Sequence, residues 1–491
     1  MSLKDLTKNT FILAAPKVIR FFTKLVRAKL NALLIGTTGV GIVNQLQDIN
    51  TRLGSFSTLS LNVGAKKLIV SNNNTENKEQ IPYIVTLYAT LVLVFAIVTY
   101  ILGYIFFDDL SSFFLGEGAQ KYFIYVYVFF PLIPLATIPI TVLGGLQEFK
   151  SLAKAEIIVI LISFLLYIPL IYYYKTQGAV IAVAVSIGAT FIVFFYYVFF
   201  KIARKRNQGL LSFKGFQLRK KIIREISMIS GISSVLGIYG VFVELTIRGT
   251  IVSELGIDSI GIYAPIIAWS AFFSSLFLPS LFQYIFPKYG SSKNNKELIS
   301  VANNGFRLLT FMIIPFVLII ISLRSFLIPL LYSDEFLVAE IYLPLHFIGI
   351  FFWTWMRIMK QMFIPTGRIK ALTPLAIVEE TLILLVVILF IGEIGLWAWC
   401  FRFSLVPFIM FITYLAFLRK KIHFKIFREN YLLMLYGILT SILITFISME
   451  VSYSVVFAFL FVVSLYFFLK KSEKQYVFNT IRRYFTKPNK G

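Results

Sequence analysis

Long apolar segments recur along this chain, and short polar segments separate them. A membrane-spanning helix needs roughly 20 mostly apolar residues, and the pattern predicts about fourteen such helices. The predicted spans are 9–35, 39–63, 81–107, 120–143, 155–174, 178–200, 226–248, 259–286, 308–331, 341–364, 372–391, 395–418, 431–448 and 454–469. No stretch long enough for a soluble domain remains between them. We therefore expect an all-α integral membrane protein.

The positions of the charges predict an orientation in the membrane. The 491 residues are 58% hydrophobic and 14% charged, with a formal net charge of +24. Such a charge could indicate a nucleic-acid partner, but the basic residues gather in alternate loops at 201–224 and 419–428 and in the C-terminal tail. The opposite loops DDLSSFFLGEGAQ, YSDEF, GE and SMEVS hold no Lys or Arg. The positive-inside rule then predicts cytoplasmic termini and no nucleic-acid partner.

The longest basic connection divides the spans into six, six and two. We expect an N-terminal lobe at 1–200, a basic cytoplasmic linker at 201–225, a C-terminal lobe at 226–418, and two further helices with a basic tail at 419–491. The segment GGLQEFKSLAKAEII before the fifth span is similar to IPTGRIKALTPLAIVEE before the eleventh. This internal similarity indicates a duplicated bundle, which is typical of transporters built from two lobes.

Charged residues near the centres of some spans indicate a polar cavity. The second span carries Asp48 and Arg52 among Asn, Gln and Thr residues, and the seventh carries Glu244 and Arg248. Each acid precedes its arginine by four residues, a spacing that permits an ion pair on one helix. Such side chains do not face acyl chains, so we expect the first two spans of each lobe to line the cavity. For Glu244 and Arg248, an ion pair at the membrane interface that binds no ligand explains the pattern equally well.

The first span carries a stripe of four cations, Lys17, Arg20, Lys24 and Arg27. Their spacings of three, four and three residues place them on one helical face. Each charge at mid-membrane costs about 3 kcal/mol on insertion scales, so the stripe requires water, counter-charges or an anion beside it. Arg52 would extend the stripe. The alternative is an amphipathic helix that lies on the membrane surface.

Other polar residues within the apolar spans are less specific. Structural salt bridges between helices explain Arg357 and Glu379 as well as a substrate path does. His346 and His423 show no metal-ligand spacing, and the single Cys400 excludes a disulfide within the chain. We predict no metal site, no cofactor and no enzymatic activity.

A cavity lined by ammonium and guanidinium groups suits an anionic substrate. Two lobes can expose such a cavity to each side of the membrane in turn, and no nucleotide-binding loop is present in the sequence. The predicted cationic lining consists of Lys17, Arg20, Lys24, Arg27, Arg52, Arg248 and Arg357. The predicted ion-pair or coupling residues are Asp48, Glu244 and Glu379.

The first two spans also resemble a known family. The stretch RAKLNALLIGTTGVGIVNQLQDINTRLGSFSTLSLNVGAKKLIV is similar to a signature of the O-antigen and polysaccharide flippases, with Gly36, Gly39, Gly41 and Gly64 at the family's glycine positions. Thr38 stands where the family often has Pro. The segment LIPLLYSDEFLVAE, after the ninth span, is similar to a second family pattern.

This resemblance implies a V-shaped pair of six-helix lobes with two extra C-terminal helices. It further implies a bacterial cytoplasmic-membrane protein that moves undecaprenyl-diphosphate-linked oligosaccharide to the outer leaflet, with Arg20, Lys24, Arg27 and Arg52 at the cationic cavity. The implied partners are this lipid-linked oligosaccharide, the membrane lipids, and the polymerase and glycosyltransferases of polysaccharide synthesis.

Three alternatives stay open. A flippase for the peptidoglycan lipid precursor would have a similar cationic cavity and fourteen spans. A multidrug exporter of the same superfamily would share the architecture, although cationic drugs favour an acidic cavity. A membrane glycosyltransferase is more distant, since only Asp108 and Asp109 could supply its carboxylates and no large outer loop accompanies them.

Overall fold

The computed structural model describes residues 3–75, 77–206, 209–211, 220–447, 451–469 and 474, and these residues form helices and connections without a strand. The all-α prediction is confirmed. Parts of the predicted basic linker (207–208 and 212–219), of the SMEVS loop (448–450) and of the basic tail (470–473 and 475–491) lie outside the described residues.

Eighteen α-helices occupy the described part of the chain. They are α1 (Leu3–Thr58), α2 (Leu61–Asn73), α3 (Ile81–Ile105), α4 (Phe107–Leu115), α5 (Phe123–Tyr127), α6 (Leu132–Gly145), α7 (Phe149–Phe195), α8 (Ala203–Arg206) and α9 (Lys220–Leu255). The others are α10 (Asp258–Ile262), α11 (Ala264–Ser291), α12 (Asn295–Ser322), α13 (Arg324–Leu331), α14 (Leu343–Lys360), α15 (Ile369–Ile394), α16 (Leu396–Ile422), α17 (Arg428–Ile447) and α18 (Val451–Ser464). Four short 3₁₀ turns (Asn77–Gln80, Gln120–Tyr122, Asp334–Ile341 and Leu465–Phe468) and one π-helical segment (Tyr196–Ile202) join them.

Two of these helices contain a break where the sequence predicts a boundary between spans. In α1 the break is at Gly36, whose φ of 62° lies in the left-handed region that glycine adopts without steric cost. In α7 the break is at Lys175, with φ 51° and ψ −129°. The chain therefore passes from the first predicted span to the second, and from the fifth to the sixth, through a single distorted residue rather than a loop.

Eight helices in the described part of the chain are long and apolar enough to cross a membrane, or eleven if each of three bent pairs counts as one span. Helices suit this environment because all of their backbone hydrogen bonds close within the segment. The figure of fourteen spans stays a prediction, as do the lobe boundaries and the V-shaped arrangement.

The chain divides into two compact units. The first comprises Met1–Pro265, Pro329–Val338 and Thr373–Ala398, and the second comprises Ile266–Ile328, Ala339–Leu372 and Trp399–Gly491. In the first unit, one apolar core gathers residues of α1, α4, α5 and α7, including the fully buried Leu46, Tyr167 and Ile171. This core holds the elements that carry the candidate site.

Candidate functional site

The predicted cationic stripe lies on a continuous helix. Lys17, Arg20, Lys24 and Arg27 all belong to the part of α1 that precedes the break at Gly36. The 3.6-residue helical repeat therefore aligns the four side chains along one face. The first three are exposed, and Arg27 is half-buried.

Helix α7 supplies the partners of this face. The Nη2 of Arg20 lies 2.6 Å from Oε1 of Glu156. Eleven residues further along α7, the ring of Tyr167 lies 4.6 Å below the guanidinium carbon of Arg27. The Tyr167 hydroxyl donates a hydrogen bond to Oδ1 of Asn31, one turn beyond Arg27 on α1. Thus α7 offers one carboxylate and one aromatic ring to the stripe.

This arrangement leaves positive charge uncompensated in the described part of the chain. Glu156 pairs with Arg20, whereas Lys17 and Lys24 make no ion pair with a described residue. The Nε of Arg27 is buried and has no hydrogen-bond acceptor among the described residues. A stacked guanidinium with free donor capacity can bind a phosphate oxygen in a fixed geometry, because Tyr167 restrains its plane. The stripe therefore has positive charge and hydrogen-bond donors available for an anion.

A second charged cluster joins α1 and α9. The Nε of Arg248 lies 2.6 Å from Oδ2 of Asp48, and Nη2 of Arg52 lies 3.2 Å from Oε1 of Glu244. The contacts within each helix are also present, since Arg52 contacts Asp48 and Arg248 lies 3.7 Å from Glu244. The fully buried Gln45 accepts a hydrogen bond from Nη1 of Arg248 at 3.0 Å. The cluster therefore joins two acids to two arginines, and Glu380 of α15 is a third acid that interacts electrostatically with Arg52.

Their ion pairs distinguish Arg52 and Arg248 from the cations of the stripe. Each of the two arginines contacts both Asp48 and Glu244. Lys24 and Arg27, in contrast, form no ion pair with a described residue. The sequence spacing indicates only the two pairs within helices. The pairing between helices depends on the contact of α1 with α9, which spacing does not reveal.

The remaining predicted residues lie elsewhere. Arg357 belongs to the second unit, where its guanidinium carbon lies 4.7 Å above the Trp353 ring. Glu379 is buried on α15 in the first unit. His346 is fully buried in the second unit, and its Nε2 lies 2.6 Å from the Ser270 hydroxyl oxygen. The described residues contain no group of three or more His, Cys, Asp or Glu arranged to hold a metal ion.

Sequence reasoning missed Lys29. Its Nζ donates hydrogen bonds to the carbonyl oxygens of Pro329 and Tyr332, each at 2.7 Å, at the C-terminal end of α13. Helix ends leave carbonyl groups without helical partners, and a cation compensates both their hydrogen bonding and their dipole. In the sequence, the signal for this contact was a further lysine two residues beyond Arg27. The contact brings the LIPLLYSDEFLVAE segment to the first span, where a Cβ on Gly36 would lie 3.1 Å from Oε2 of Glu335.

Comparisons with solved structures identify the fold. The lipid II flippase MurJ in an inward closed conformation superposes with a TM-score of 0.70 at 14% identity, covering 94% of this chain and 99% of that one. An inward-facing multidrug resistance MATE family transporter of the MOP superfamily gives a TM-score of 0.69 at 16% identity, covering 84% and 98%. A MOP superfamily transporter from Pyrococcus furiosus, described as having a binding pocket of reverse polarity, gives 0.56 at 14% identity, covering 85% and 96%.

These structures share the fold of this chain, and no curated protein matches its sequence. The family model described as "Polysaccharide biosynthesis protein" matches residues 49–340, more than half of the chain. The matched region includes α9 with Glu244 and Arg248 as well as the segment that Lys29 contacts. The resemblance noted in the first two spans is thereby confirmed, and this chain belongs to the polysaccharide biosynthesis protein family.

Proposed function

We propose that this chain is a flippase that moves an undecaprenyl-diphosphate-linked oligosaccharide across the bacterial cytoplasmic membrane, from the inner to the outer leaflet. The observation that carries the proposal is the cationic stripe on α1, which has one acidic partner for its four cations among the described residues. A diphosphate is the anion that such a lipid-linked sugar presents. Membership of the polysaccharide biosynthesis family and the fold shared with MOP superfamily transporters support the proposal.

In the proposed mechanism, Lys24 and Arg27 bind the diphosphate. Arg27 donates hydrogen bonds in the plane of its guanidinium group, and one face of that group packs against the Tyr167 ring. Lys24, one turn earlier on the same face of α1, adds a mobile ammonium group. Lys17 attracts the anion towards the stripe, and Arg20 is shared with Glu156. The polyprenyl tail remains in lipid, because only the charged and sugar portions require a polar path. The protein acts by binding and reorientation rather than by catalysis.

Alternating access completes the proposed cycle. We assign the ion-paired cluster of Asp48, Arg52, Glu244 and Arg248 to the coupling of this cycle rather than to substrate binding. Protonation of either acid, or its separation from an arginine, would break an ion pair in a largely buried place, so the cluster favours one arrangement of α1 and α9. In this proposal Arg357 binds substrate and Glu379 is an ion-pair or coupling residue. Both termini are cytoplasmic, and a polymerase with its glycosyltransferases receives or supplies the lipid-linked sugar.

The test measures where lipid-linked oligosaccharide accumulates in cells depleted of this protein. Cells carry the parent chain, the Arg20→Ala or Arg27→Gln variant, or Lys78→Gln, which removes an exposed cation outside the stripe. The proposal predicts accumulation on the cytoplasmic leaflet that the parent and Lys78→Gln relieve and that Arg27→Gln relieves poorly. Unchanged outward delivery in depleted cells would contradict it.

A peptidoglycan-precursor flippase is the second candidate, and the structural likeness to the lipid II flippase MurJ over 94% of this chain favours its inclusion. Both substrates carry a diphosphate, so the stripe does not distinguish them. Accumulation of the peptidoglycan precursor alone in depleted cells would identify this candidate.

A further inference from the structure

A group of cations that the proposed transport site does not use lies where α16 ends and α17 begins, in the second unit. We call residues 419–428 the basic loop. Its five cations are all exposed: Arg419, Lys420, Lys421, Lys425 and Arg428. Both flanking helices are long and apolar enough to cross a membrane, so the basic loop lies where the chain leaves and re-enters the lipid. It therefore presents concentrated positive charge at a membrane face.

Buried amide side chains hold the basic loop in one conformation. Asn303 of α12 is 1% exposed, yet its Nδ2 donates to the carbonyl oxygen of Lys425 at 2.9 Å and its Oδ1 accepts from the backbone N–H of Phe427 at 2.7 Å. The Nδ2 of Asn430, also buried, donates to the backbone oxygen of Asn303 at 2.8 Å. The fully buried ring of Phe424 packs edge-on against Phe306. A basic segment that is only solvated would not require these buried hydrogen bonds and this ring contact.

More cations continue the surface from the start of α12. Lys293 and Lys296 are exposed, and Lys296 precedes Asn303 by seven residues, about 10 Å of helix. Large exposed rings accompany the charges, because Phe427 is 43% and Tyr431 is 60% exposed. Aromatic side chains beside lysines are typical of the boundary between headgroups and acyl chains.

We propose that the basic loop binds the headgroups of anionic phospholipids, with Asn303 as the residue that positions its backbone. The phosphates contact the lysine and arginine side chains, and Phe427 and Tyr431 rest among the neighbouring lipids. Clusters of four to eight basic residues beside a membrane helix have the charge that such binding requires. The proposal does not depend on the transported substrate.

The test places the full chain in nanodiscs of zwitterionic lipid with increasing fractions of phosphatidylglycerol. Retention of phosphatidylglycerol is measured by native mass spectrometry, and thermal stability is followed in parallel. The triple variant Lys420→Gln, Lys421→Gln, Lys425→Gln is compared with a control of equal charge loss in the first unit, Lys67→Gln, Lys150→Gln, Lys154→Gln, whose three lysines are also exposed. Each cation near an anionic surface contributes about a fivefold change in affinity. We therefore expect the loop variant to lose more than tenfold in retention and the control to lose less than threefold.

Asn303→Ala tests the positioning role because it changes no charge. We expect it to reduce the preference for phosphatidylglycerol over zwitterionic lipid, a ratio that a general loss of stability would not change. If this variant does not fold, the two triple variants decide the proposal alone. Equal losses in both triple variants would overturn it, since general surface charge would then explain retention. Thermal stability independent of phosphatidylglycerol, together with cross-linking of the loop lysines to an acidic protein in cells, would also overturn it.

Discussion

The Nε of Arg248 lies 2.6 Å from the Oδ2 of Asp48, although 200 residues separate them in the chain. Side chains of both residues are largely shielded from solvent, at 9% and 24% exposure. Because Asp48 also contacts Arg52 and Arg248 also contacts Glu244, the two helices share one ion-paired cluster. This ion pair specifies the alignment of α1 and α9 more closely than apolar packing could. Arg248 contacts Asp48 in only one register of the two helices.

Removal of the Asp48 charge should destabilise the protein. Asp48→Asn removes a carboxylate that contacts both Arg52 and Arg248, and loss of one partner from a buried ion pair costs about 3 kcal/mol. We expect a clearly lower Tm in nanodiscs. Asp109→Asn, which removes an exposed carboxylate from the first turn of α4, is the matched control and should change the free energy of unfolding by less than about 1 kcal/mol.

A double-mutant cycle with Arg248→Gln isolates the pair. The Asp48→Asn, Arg248→Gln chain should be more stable than the sum of the single effects predicts, by at least about 1 kcal/mol, because no unpaired charge remains between these residues. Strict additivity of the two effects would show that the contact contributes nothing to stability.

Two glycines allow α1 and α10 to cross closely, and an added methyl group should separate them. A Cβ on Gly41 would overlap the carbonyl oxygen of Ile257, and a Cβ on Gly261 would overlap that of Thr37. Overpacking against backbone atoms typically costs about 1–3 kcal/mol, so Gly41→Ala should lower the Tm. Gly231→Ala on α9 is the control, since no atom of the described residues lies within 4 Å of its Cβ position.

The control should behave in the opposite direction. Alanine is favoured over glycine in a helix interior by about 1 kcal/mol, so Gly231→Ala should leave the Tm unchanged or raise it. An equal decrease in Tm for both variants would contradict a specific role for the close crossing of α1 and α10.

Two lysines on the same helix should separate stability from substrate binding. Lys29→Met removes two charged hydrogen bonds to the end of α13 and should cost about 2 kcal/mol of stability, with little effect on binding of a polyprenyl diphosphate. Lys24→Met should do the reverse, because Lys24 makes no ion pair with a described residue. Thermal unfolding and titration with the diphosphate lipid measure the two effects. Loss of both properties in both variants would refute this division of roles.

The stacking of Arg27 on Tyr167 should matter in addition to its charge. Arg27→Lys keeps the charge but loses the planar, restrained donor set, so binding of polyprenyl diphosphate should weaken by about three- to tenfold. Arg27→Gln should weaken it by more than tenfold, and Lys78→Gln should not change it. The titration is repeated at two salt concentrations to show how much of the binding depends on charge alone. If charge alone mattered, Arg27→Lys would bind as tightly as the parent chain.

Much of the helical organisation follows from one-dimensional signals. Apolar runs of membrane length predicted the all-α class, and the predicted boundaries near residues 36 and 175 coincide with the breaks in α1 and α7. The three, four and three spacing placed Lys17, Arg20, Lys24 and Arg27 on one face because a helix has a fixed repeat. The glycine pattern also indicated the family, since Gly36 and Gly41 meet backbone requirements that few other residues satisfy.

The sequence by itself determined the helical class, the breaks between spans, the cationic face of α1 and the family. These properties are local, since each depends on hydropathy, helical period or backbone freedom within a few turns. Only the tertiary structure decided which cations are compensated: Arg52 and Arg248 share two carboxylates, Arg20 has Glu156, Lys29 caps α13, and Arg27 rests on Tyr167. Charge compensation depends on which helix lies opposite, and residues far apart in the chain carry no local signal of that neighbour.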